Sequence, residues 1–179
     1  MADAEQVAML KRSVLERNAW RKANNRTTPQ LKEAALAHAN LECADLNNAF
    51  APRIILRAAN LRASDLSVSV MRYGDFREAD LTRAEIVAAD LVDTQCAEAN
   101  FTATYLDGVD FDGADLRHAV FKGAKLIDVC FEDADLSNAI LLVSEPQPGD
   151  AEGWRALLKN THGNEQTLLP QGVQRPVWW

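Results

Sequence analysis

The sequence is poor in the residues that chemistry usually requires. Its 179 residues include three histidines and three cysteines, and aromatic side chains make up 7%. Cys43, Cys96 and Cys130 are odd in number and widely spaced, which excludes the paired framework that staples small secreted domains. They read as packing or surface thiols, with Cys96 expected inside. His38, His118 and His162 show no zinc-ligand spacing, and the chain has no glycine-rich phosphate loop and no nucleophile elbow. No apolar run approaches the ~20 residues of a membrane span, and the first residues lack a signal-peptide core. These absences argue against an enzyme, a metal site, a cofactor and a membrane segment, and they leave a cytoplasmic address as the expectation.

What the chain does have is a period. From Leu36 to Leu141 an apolar residue returns at every fifth position through 22 repeats without a slip, with Ala51, Met71 and Cys96 as the unusual occupants. Two residues ahead of each lies a small side chain, as at Ala39, Ala44, Ala59, Ala79, Ala99 and Ala134, with Ile54 a bulky exception. The residue between is often Asp or Asn. A spacing of five fits neither a helix nor simple strand alternation. Within a repeat, though, the small and large residues are two apart, so an extended tripeptide turns both to one face and its Asp or Asn to the other. The remaining two residues must turn the chain, and Gly108, Gly113 and Gly123 fall in those slots. Four right-angled corners close a coil of about 20 residues, and stacked coils form a solenoid. Coil spacing then puts His38 and His118 about 19 Å apart, too far to share a metal. Aspartates ahead of the large residue serve turns rather than acid-base catalysis. Pro52 among the bulky residues of 50–56 predicts a distorted coil or bulge there.

These residues resemble the pentapeptide-repeat family, whose pattern is Ala, Asp or Asn, Leu or Phe, and two variable positions. The resemblance implies an all-β solenoid, a right-handed quadrilateral β-helix with four repeats per coil. It covers about five and a half coils over residues 31–143, a rod of about 26 Å at strand spacing.

The flanks read as caps. Residues 1–30 hold a helix from Asp3, its N-cap, to about Asn24, with Val7, Leu10 and Val14 at helical spacing and Trp20 covering the open first coil. The stretch Asn18-Ala-Trp20-Arg21-Lys is similar to the lead-in of many bacterial family members. Residues 144–179 hold a proline-rich connector, a short helix from Ala151 to about Asn160, and a tail. Trp154, Leu157 and Leu158 share a face of that helix, which either covers the chain's own last coil or pairs with a second subunit, so the chain is a monomer or a C-terminal-helix homodimer. The tail, with its Leu-Pro170, Gly172, Arg175-Pro176 and Trp178, resembles proteobacterial members, and Trp178 is expected to lie back on the rod.

Charge divides the repeat. Lys32 to Glu85 carries seven basic residues and eight acidic ones, whereas Ile86 to Val143 carries three and eleven. A 20-residue coil stacks Asp90, Asp93, Asp110, Asp112, Glu132 and Asp133 on one face, a strip suited to a basic protein partner. The overall charge of −7 argues against direct nucleic-acid binding. The expected function is a non-catalytic scaffold for protein–protein contact. The alternative follows from the resemblance: some family members mimic duplex DNA and occupy DNA gyrase, and an acidic strip is the feature such a mimic of a DNA-binding protein's ligand would use.

Overall fold

The computed structural model describes residues 2–144 and 157–179. Parallel bridges recur at every fifth residue and join each to the residue twenty further on, from Gln30 with Phe50 to Val120 with Ile140. Three of these contacts lengthen into strands β1 (Glu85–Val87), β2 (Tyr105–Asp107) and β3 (Lys125–Ile127), which form one parallel sheet in that order. Each coil therefore has twenty residues and four short sides. The ladder has a fixed grammar: Leu41 N–H donates up to Asn60 O (2.7 Å), and Asn60 N–H donates down to Ala39 O (3.0 Å). The middle residue of a tripeptide thus points its peptide groups at the preceding coil, and its neighbours point theirs at the next.

The corners are tighter than glycine alone could serve. From Leu31 to Leu136 the second residue after each large one lies in the left-handed region, as at His38 (φ 58°) and Tyr73 (φ 61°), and glycine fills this slot only at Gly108, Gly113 and Gly123 within the coils. Val68 does so as well (φ 59°), although a β-branched side chain suits that conformation least. The stacked coils hold these corners because each is pinned twice: Ala39 N–H bonds Leu36 O (3.1 Å), and His38 N–H bonds Arg57 O in the next coil (2.9 Å).

Inside, the small and large residues pack as the period requires, with every large slot from Leu36 to Leu141 buried. The character of the core changes along the rod. Early coils are filled by Leu and Met, whereas Phe101 stacks on Phe121 (4.7 Å, 3°) and Phe111 on Phe131 (5.5 Å, 12°), with edge-on contacts between the two columns. No bulge occurs at residues 50–56, where a distorted coil was expected. Ala51 takes a large slot and Ile54 a small one, both fully buried, so volume missing at one is returned three residues on and the pairing stays regular.

The single N-terminal helix expected from Asp3 is two helices, α1 (Ala4–Arg12) and α2 (Val14–Ala23). Asp3 caps α1 by accepting from the amides of Glu5 and Gln6. Ser13 breaks the run because it serves both ends: its N–H caps α1 at Met9 O, and its side chain accepts from Glu16 N. Beyond Leu141 the pairing continues. Asp135 pairs with His162 and Ile140 with Leu168, which lays two sides of a further coil on the rod.

Candidate interaction surfaces

The acidic strip forms on one side of the rod. Asp90 and Asp110 occupy adjacent middle slots in the column Val70–Asp90–Asp110–Cys130. Asp112 and Glu132 lie at the corner beside them, followed by Asp93 and Asp133 in left-handed backbone. Gly113 sits between those two, and its lack of a side chain leaves room for Asp93 Oδ1, which would lie 2.6 Å from a Cβ there. Partial burial, then the carboxylates of Asp110, Asp133, Glu132 and Asp93, raise the pKa of Asp112 above its ordinary 3.8. Burial followed by the same acidic field also raises the Cys130 thiol. The strip is not wholly bare of partners, since Arg72 in the coil below bonds Asp90, and Asn160 donates to Glu132 Oε1 (3.0 Å). Five of its acids, Asp93, Asp110, Asp112, Glu132 and Asp133, have no ion-pair partner among the described residues.

Ion pairs occur elsewhere on the rod. Arg57 pairs with Glu78 (2.7 Å), Arg62 with Asp80 (3.1 Å), Arg77 with Asp75 (2.6 Å) and Arg117 with Asp115 (2.7 Å). The hydrogen bonds from Arg77 and Arg117 hold the Asp75 and Asp115 carboxyls below the ordinary range. Arg57, Arg62, Arg77 and Arg117 are therefore occupied within the rod.

Chemistry-bearing residues are dispersed. His38 and His118 are exposed corner residues, and His162 lies in the added coil against Asp135. Cys96 is fully buried, which pushes its thiol up to about 12, while Cys43 and Cys130 are exposed. Among the described residues no group of three or more His, Cys, Asp or Glu side chains could hold a metal ion, and no helix is long and apolar enough to cross a membrane.

At the ends, side chains replace the missing coil. On the first coil, Asn18 Oδ1 accepts from Asp45 N (2.9 Å), the bond that the carbonyl of a preceding coil would take, and Asn18 Nδ2 donates to Cys43 O (2.7 Å). Arg21 ties Thr27 O (2.7 Å) to Asn47 O (2.9 Å), and Asp3 N–H closes Gln30 O (2.8 Å). On the last coil, Thr161 O accepts from the indole nitrogens of Trp178 (3.2 Å) and Trp179 (3.0 Å), and Thr167 O accepts from Arg175 (3.1 Å). Gly163 stands two residues after Thr161, where a repeat would place its large side chain, and the Trp179 ring fills the space that a side chain there would need. Of the residues expected as cap or dimer contacts, Leu158 is buried in its own chain's core and Leu157 packs against it. Trp178 keeps half its surface exposed. Trp154 and most of the expected 151–160 helix lie outside the described residues.

Sequence reading missed one feature of the first cap. The buried residues of α1 and α2 include Arg17 and Gln6, and the Arg17 guanidinium is fully enclosed with no hydrogen-bond partner, as is Gln6 Oε1. Arg17 lies over the Trp20 ring at 4.9 Å, and burial, then Arg21, lower its pKa to about 10. A cation inside a cap breaks the apolar stripe that helix reading looks for, so periodicity gives no signal for it.

The pentapeptide-repeat profile matches residues 59–94, 94–133 and 104–141, with eight copies. Among solved structures, HetL from Nostoc sp. strain PCC 7120, a pentapeptide repeat protein involved in heterocyst differentiation regulation, is 29% identical over 65% of this chain and 61% of its own, with a TM-score of 0.38. This chain thus spans about three fifths of the length of HetL. A pentapeptide repeat protein from the thylakoid lumen of Arabidopsis thaliana is 16% identical over 61% of this chain and 66% of its own, TM-score 0.29. A trypsin-treated variant of QnrB1, a plasmid-mediated fluoroquinolone resistance protein, is 15% identical over 78% of each chain, TM-score 0.36. No curated protein matches the chain in sequence. With its unbroken five-residue period, its twenty-residue parallel coils and the profile match, this chain is a member of the pentapeptide-repeat family.

Proposed function

We propose that the protein is a non-catalytic, cytoplasmic scaffold that recruits a basic protein partner through the acidic strip. The observation that carries this reading is the cluster of five acids without ion partners among the described residues, Asp93, Asp110, Asp112, Glu132 and Asp133, stacked on one side of the rod. Carboxylates held close together lose their mutual repulsion when a cationic surface covers them. The other reading is a DNA mimic directed at gyrase or another DNA-binding protein. It is less favoured because the first coils carry arginines paired within the rod, such as Arg57 with Glu78 and Arg77 with Asp75, whereas a duplex is negative along its whole length.

The test replaces Asp93, Asp112, Glu132 and Asp133 with Asn or Gln. Each protein is assayed for binding to a defined basic protein across a salt series, and for inhibition of supercoiling by purified gyrase. Binding by the wild type that weakens steeply with salt and is lost in the variant supports the strip as the interface. Gyrase inhibition that disappears in the variant moves the mimic reading ahead. Unchanged supercoiling at protein excess removes gyrase as the target, and identical binding by both proteins removes the strip.

A further inference from the structure

The first coil is closed on only two of its sides. Asp3 covers the side of Gln30 and Asn18 covers that of Asp45, but the middle residues of the other two sides, Ala35 and Asn40, make no backbone hydrogen bond from their own N–H or C=O among the described residues. By the grammar of the ladder both groups point at a coil that does not exist. Both residues are exposed, so water satisfies them.

Beside Asn40 the break between α1 and α2 leaves a crevice of about 450 Å³, lined by Leu10, Val14 and Leu15 on the helices and by Ala37, Ala39 and Asn40 on the coil. That volume lies within the range of about 300–1,000 Å³ typical of ligand sites. Leu15 is 82% exposed at its rim. Lys11 and Glu42 also line it, and neither has an opposite-charge partner within 4 Å among the described residues. An unpaired strand edge, a crevice with apolar side chains on both walls, and two charges of opposite sign without ion partners meet at one place.

We propose that this edge binds an extended segment of another protein, which adds in parallel as the missing strand below Asn40. The register defines the segment. Its residue opposite Asn40 points outward, in line with the Asn60–Asn40 side-chain ladder (2.9 Å), and favours Asn or Asp. The residues on either side point into the crevice, where the ladder's pattern calls for a small and then a large apolar side chain. The next residue reaches Glu42 and favours Lys or Arg. Main-chain bonds supply affinity and the inward side chains supply selectivity, as in other strand additions. A second copy cannot supply this strand by stacking end to end, because Trp178, Trp179 and Arg175 already occupy the carbonyls of its last coil.

The probe is a fluorescent, amidated peptide of sequence Thr-Ala-Asn-Leu-Arg-Thr, titrated into the full chain while amide exchange is followed at Asn40. The expected result is saturable binding with slowed exchange of the Asn40 amide. Methylating the peptide's leucine nitrogen, which removes the donor to Asn40 O, weakens binding about 3- to 10-fold. Leu15→Asp and Ala37→Trp, both at exposed positions, weaken it comparably without moving the melting point. Equal binding of the methylated peptide, indifference to both variants, or no saturation overturns the proposal. So does concentration-dependent protection of Asn40 without peptide, which assigns the edge to self-association. The variant lacking the acidic strip should bind the peptide as wild type does, so failure here and failure of the scaffold reading are separable.

Discussion

The body of the rod and its two ends solve the same problem with different groups. In the body, a peptide group that faces a neighbouring coil finds another peptide, at 2.7–3.0 Å in the bonds around Asn60. At the ends no coil remains, and several of the outward groups are taken by a carboxamide (Asn18), a guanidinium (Arg175) and two indoles (Trp178 and Trp179). The body is therefore uniform and insensitive to which polar residue fills an outward slot, whereas each end depends on a few side chains that have no substitute. Repeat proteins in general concentrate sequence specificity in their caps, since an open coil exposes both core and edge.

Breaking the body should have the largest effect. Phe111→Asp places a carboxylate between Phe101 and Phe131, and we expect a loss of more than about 4 kcal/mol, visible as loss of the cooperative transition in thermal or urea unfolding. A melting point equal to wild type would refute the core register. Removing Trp178 and Trp179 should cost about 2–4 kcal/mol, because it opens the space over Gly163 and leaves Thr161 O without its indole donors. Hydrogen exchange should then quicken first at His162 and Leu168, not at the central coils. The other end should respond with the opposite sign. Arg17→Met removes an enclosed guanidinium that has no partner, and unfolding should show a gain of about 1–4 kcal/mol. A loss would mean that the cation is held by its field with Asp45 and Asp3 more firmly than its unmade hydrogen bonds imply.

The smallest effect separates two sides of the body. The carboxyls of Asp75 and Asp115 titrate below their ordinary 3.8 because of bonds from Arg77 and Arg117, so they stabilise the fold at neutral pH. That contribution is lost as pH falls through their depressed values. Asp112 titrates above 3.8, so its charge is a burden at neutral pH that is relieved as pH falls through its raised value. Melting followed from neutral pH downward should thus show a slight rise before the acid decline. Asp112→Asn should abolish the rise and leave the decline in place.

Some of this organisation is readable from residue types. An apolar residue at every fifth position, with a small one two before it, locates the core slots because burial penalises any polar occupant, and the aspartate columns follow once a coil has twenty residues. The exchange of Ala51 and Ile54 is not readable in that way, since each looks like a flaw until both are seen fully buried in a regularly paired coil. The pairing of Arg57 with Glu78 and of Arg77 with Asp75 depends on which carboxylate each side chain can reach from its corner. Residue spacing alone thus decided the coil, its core and the side on which acids gather, because those depend only on periodicity and burial. The caps, the enclosed Arg17, the return of the chain at His162 and the open edge at Asn40 were decided by tertiary structure. They arise where the period stops and distant residues compete for backbone groups that no repeat is left to satisfy.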